Sequence, residues 1–174
     1  MANNDIQLMA HLMRRAGFGA PYEELEARAA KGYEATVEEL LRADENLDWE
    51  EDLARRHMIG GHLGNAMPEI QGYWMQRMIS TTRPLREKMT LFWHTILCSG
   101  DSKIDHPETM DTHIDMVREN ALGRYPDLLV ALSRDPGMII YLDNRYSHKD
   151  SINENYGREL LELFSMGVGN YTED

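Results

Sequence analysis

Pro84-Leu85-Arg86-Glu87-Lys88-Met89-Thr90-Leu91-Phe92-Trp93-His94-Thr95-Ile96-Leu97-Cys98 is the stretch whose reading decides the fold class. Leu85, Met89, Phe92 and Ile96 recur at i, i+4, i+7 and i+11, the apolar stripe of a helix. Pro84 suits its first turn, where the missing N–H has no intrahelical partner anyway, and Ser99-Gly100 ends it. Leu91, Leu97 and Cys98 lie off the stripe, so the second half is apolar nearly all round and is expected to be buried on several sides. Cys98, the only cysteine, is expected to be a buried, inert thiol. His94 projects from the face opposite the stripe, with Glu87 two turns back on the same side.

The same helical period runs outward in both directions. Ile6, Met9, Ala10, Leu12 and Met13 mark a helix from about Asp5 to Ala16, stopped by the turn Gly17-Phe18-Gly19. Pro21 opens a second helix that Gly32 closes, and a third is expected over about Thr36 to Ala43. Beyond the acidic run Asp44 to Asp52, a short helix is expected from Trp49 to Met58. Pro68, Pro107 and Pro126 then open further ones. Asp135-Pro136 is an N-cap and first-turn pair for Gly137 to Leu142. Ser151 and Glu154 have capping-box spacing for a last helix, which Gly167 stops. No two-residue alternation and no Asn-Gly or Asp-Gly hairpin occurs. The expected architecture is all-α, an irregular bundle of short helices joined by Gly/Pro turns. Thr172 followed by two acids reads as a helix start without its helix, so residues 1–174 are expected to be the N-terminal part of one longer helical domain.

Composition narrows the partners. A chain of 174 residues with 42% hydrophobic and 28% charged residues has a globular balance. Its net charge of -12 repels nucleic-acid backbones and anionic membrane surfaces alike. No apolar run is long enough to span a bilayer, and Met-Ala-Asn-Asn-Asp-Ile-Gln has neither the basic nor the apolar region of an export signal. With the single cysteine, this points to the cytoplasm. The twelve methionines suit adaptable core filling.

Three groups of polar residues could carry chemistry. His94 is either a general base or metal ligand, or a structural histidine bonded between helices. Glu154, Arg158 and Glu162 stack at i, i+4 and i+8, with Glu159 beside them. They read as carboxylates held by an arginine at a site, or as a solvated ladder stabilising the helix by about 0.2–0.5 kcal/mol per pair. Asp105, His106, Glu108, Asp111, His113 and Asp115 are metal-ligand types, yet they lack a zinc signature, and acids belong in a first helical turn in any case. No phosphate-binding loop and no nucleophile elbow is present, and Gly17-Phe18-Gly19 lacks the strand and third glycine of a dinucleotide fingerprint.

Several blocks carry a family resemblance. His11-Leu12-Met13-Arg14-Arg15-Ala16-Gly17-Phe18-Gly19 resembles the opening of the large bacterial family catalogued as domain of unknown function 1800. Pro84 to Met89 with Phe92-Trp93-His94, Leu132 to Pro136 through Tyr141-Leu142-Asp143-Asn144, and Asn153 to Tyr156 through Arg158 to Phe164 agree with it in order. The resemblance implies a longer domain than this chain, and some of its members look secreted. It supplies no reaction, cofactor or metal. Where many members resemble Phe-Trp-His-Asn-His-Phe, this chain has Ile96 at the second histidine, which weakens any two-histidine site. Gly157 stands where an alanine is usual, at a helix cost of about 1 kcal/mol unless something packs on it.

A scaffold or interaction module is therefore the expected function, its partner being the remainder of the same domain or another protein. The alternative is a hydrolase-type enzyme, metal- or His/carboxylate-dependent, with His94 as base or ligand. In it Glu154, Arg158 and Glu159 orient that histidine or bind substrate, and the remainder of the domain completes the site.

Overall fold

A computed structural model describes residues 3–42, 66–104 and 106–172. The acidic run, the short helix expected at Trp49 to Met58, and Asp105 lie outside the described residues.

Helices account for the architecture. They are α1 (Asn3–Arg15), α2 (Tyr22–Lys31), α3 (Tyr33–Leu41), α4 (Ala66–Ser80), α5 (Pro84–Ile96), α6 (Pro107–Asn120), α7 (Tyr125–Leu132), α8 (Pro136–Tyr141) and α9 (Asn155–Glu162), with a 3₁₀ turn at Asn144–Tyr146. No strand is present among the described residues, only an isolated bridge between His148 and Ser151. None of the described helices is long and apolar enough to cross a membrane. The all-α reading stands.

The punctuation behaves as its chemistry dictates. Gly19 and Gly32 take φ of 94° and 104°, a backbone region closed to most side chains. Gly17 is needed for space instead, because a Cβ there would sit 2.8 Å from the Pro84 Cβ. Asp135 caps α8, its carboxylate accepting from the Met138 N–H at 2.7 Å.

The chain divides into two compact units, Met1–Met89 and Thr90–Asp174. In the first, Met9, Leu12, Met13 and Leu40 form a buried cluster against Leu25, Val37 and Leu85. In the second, Leu97, Leu128, Leu132, Met138, Leu142 and Phe164 form another, flanked by Trp93, Tyr125 and Tyr141. Trp93 stacks on Tyr125 with ring centroids 5.1 Å apart and donates from Nε1 to the Ala121 carbonyl at 3.1 Å.

Three sequence expectations need correction. The first is the orientation of α5. Phe92 and Ile96, half of its apolar stripe, are exposed, whereas Glu87 and Thr90 on the opposite face are only 2% and 0% exposed, and Leu97 is fully buried. Glu87 tolerates burial because both its oxygens are bonded, as described below. Cys98 is exposed rather than buried, because α5 ends at Ile96 and the chain turns Leu97 inward and Cys98 outward. Lastly, Ser151 and Glu154 form no capping box. Ser151 bridges to His148, Glu154 makes no side-chain cap, and the Asn153 carboxamide accepts from the Asn155 N–H at 2.9 Å instead. An Asx turn at Asn153 has displaced the capping box.

Candidate functional site

Among the described residues, each unit buries one carboxylate among donors. In the first unit, Glu87 on α5 receives Arg77 Nε at 2.8 Å on Oε1 and Trp74 Nε1 at 3.2 Å on Oε2, both from α4. Arg77 also donates to the Tyr73 hydroxyl at 3.2 Å and retains 16% side-chain exposure. Trp74 and Arg77 lie three residues apart on one face of α4, so both donors reach the one acid, and Tyr73 accepts from Arg77 one turn back.

In the second unit the carboxylate is Asp135 and its partner is His113 of α6. Both side chains are 0% exposed, with Nδ1 2.7 Å from Asp135 Oδ2. The other ring nitrogen, Nε2, lies 3.2 Å from the Leu97 carbonyl oxygen just past the end of α5. Both nitrogens face oxygen acceptors, so both bonds are made when each nitrogen carries a hydrogen. His113 thus joins one helix's C-terminal carbonyl to another's capping acid, the two ends where a helix leaves backbone groups unsatisfied. Gly137 permits the close packing, since a Cβ there would stand 3.0 Å from Asp135 Oδ2 and 3.2 Å from the His113 Cβ. Asp135 Oδ1 is buried and accepts no hydrogen bond among the described residues.

His94 is half-buried beside this pair, its ring centroid 5.8 Å from that of His113. Burial, and secondarily the charge of a protonated His113, pushes the His94 imidazole down from 6.5 to about 4. It is therefore neutral at physiological pH, the form that can accept a proton or bind a metal.

The other sequence-derived site residues belong to α9. Glu154 is exposed at the start of α9. Arg158, 51% exposed, donates to Asn155 Oδ1 at 2.8 Å and lies 4.0 Å from Glu159. The structure brings Arg158 and Glu159 together as neighbours on a partly solvated helix. Among the described residues of the histidine–acid group, His106 and Glu108 are exposed, Asp115 pairs with Arg118, and His113 alone turns fully inward. Among the described residues no three His, Cys, Asp or Glu side chains are grouped to hold a metal ion.

Sequence reasoning missed the His113–Asp135 and Glu87–Arg77 pairs, although it noted three of these four residues for other reasons. It also missed a clasp at the end of α8. Lys103 donates to the Tyr141 carbonyl at 2.9 Å and to Asp143 Oδ2 at 2.7 Å. Asn153 and Asn155 donate their carboxamides to the Asp143 and Leu142 carbonyls at 3.0 and 3.3 Å. Asp143 itself adopts φ of 60°. Two of the blocks that carry the family resemblance, Tyr141–Asn144 and Asn153–Tyr156, are thus bonded to each other.

Residues 11–174 match the family described as Protein of unknown function (DUF1800). The chain belongs to that family. No curated protein and no solved structure gives a match. Membership in DUF1800 covers both units, and the clasp and the His113–Asp135 pair both lie within the matched residues.

The first unit also holds a groove of about 660 Å³, lined by Met13, Phe18, Met75, Met78 and Ile79, with Arg28 and Glu39 among its polar residues. Arg28 is already engaged there, bonded to Glu24 at 2.7 Å and to Glu39 at 3.2 Å.

Proposed function

We propose that this DUF1800 chain is a helical scaffold or interaction module. One observation carries the reading: beyond α9, Leu163, Met166 and Val168 are 61%, 49% and 74% exposed. Large apolar groups left in water suit a surface that other polypeptide covers, whether more of the same domain or a second protein. The buried acids support it in another way, since both oxygens of Glu87 and Oδ2 of Asp135 are bonded in holding helices together. An exposed thiol at Cys98 suits a reducing compartment such as the cytoplasm.

The test is light scattering together with binding of an apolar fluorescent dye. Self-association or dye binding is expected, and both should fall in Leu163→Glu/Val168→Glu. A monomer that binds no dye would overturn the proposal.

The neutral state of His94 favours a second reading, a hydrolase-type enzyme with His94 as base or metal ligand and Glu154, Arg158 and Glu159 as orienting or substrate-binding groups. Metal content should then differ between wild type and both His94→Ala and Glu159→Ala. Equal content in all three removes the ligand reading and leaves the scaffold untouched.

A further inference from the structure

We draw no further inference here: the strongest candidate, the methionine-lined groove of the first unit bounded by Met13, Phe18, Met75 and Ile79, is an apolar face for which nothing in the structure shows what covers it.

Discussion

Glu87 in the first unit and Asp135 in the second are equally buried, at 2% exposure each, yet they are satisfied by different means. Glu87 is met by side chains of the neighbouring helix, one of which, Arg77, still reaches water. Asp135 is met by a backbone N–H and by a histidine with no exposure at all. The difference is a matter of escape. When an acid is removed, an arginine with a wet edge can re-solvate by a small rotation, whereas a sealed imidazole cannot without parting the helices around it.

Asp135→Ala is therefore expected to be the most damaging change. It removes the cap of α8 and leaves His113 Nδ1 without its acceptor, at a cost of about 3–5 kcal/mol in chemical denaturation. Asp135→Asn keeps an oxygen for the cap and should recover roughly half of that loss. A cost below about 1 kcal/mol for the alanine variant would mean that the sealed pair contributes nothing special.

Glu87→Leu should cost less, about 2–4 kcal/mol, because Arg77 can turn its guanidinium to solvent. If it proved the more harmful of the two, exposure of the partner would not be what separates the units.

The pH dependence sharpens the comparison further, because His94 belongs to the second unit only. Its folded-state pKa lies below the unfolded one, so the unfolded chain binds the extra proton first as acid is added. Its contribution is complete above about pH 6.5 and is lost as pH falls toward about 4. The loss comes to about 2 kcal/mol once partial exposure is allowed for. Denaturation midpoints measured across that window should flatten in His94→Gln. An unchanged slope would show that burial does not hold the His94 imidazole neutral.

Gly157→Ala is the smallest change and acts as a control in the opposite direction. A Cβ at this helical position meets nothing within 4 Å, so the substitution should stabilise by about 0.5–1 kcal/mol. A destabilised variant would point to fragility throughout the second unit, beyond its buried acid.

Helices were legible in the sequence because their limits are chemical. Prolines 68, 84, 107, 126 and 136 all lie in first turns, and Gly19 and Gly32 adopt the positive φ that their stopping role implies, whereas α9 ends at Glu162, short of the Gly167 expected to stop it. Which side of a helix faces inward was harder to read. A stripe counts polarity along one segment, but whether Glu87 can be buried depends on Trp74 and Arg77, thirteen and ten residues away. The His113–Asp135 bond spans 22 residues and left no local signal except the cap at Asp135. Spacing also overrated the capping box, because Asn153 competes for the same N-terminus and wins through its carboxamide.

The reversed face of α5 bears on how this chain should be engineered. Anyone polishing the helix by hydropathy alone would strengthen Phe92 and Ile96 and replace Glu87 or Thr90 with something oilier. The edited sequence would score better as an amphipathic segment while favouring a helix turned half a revolution about its own axis. The bonds from Arg77 and Trp74 to Glu87 are what hold the observed face inward, since turning the helix would give up both of them.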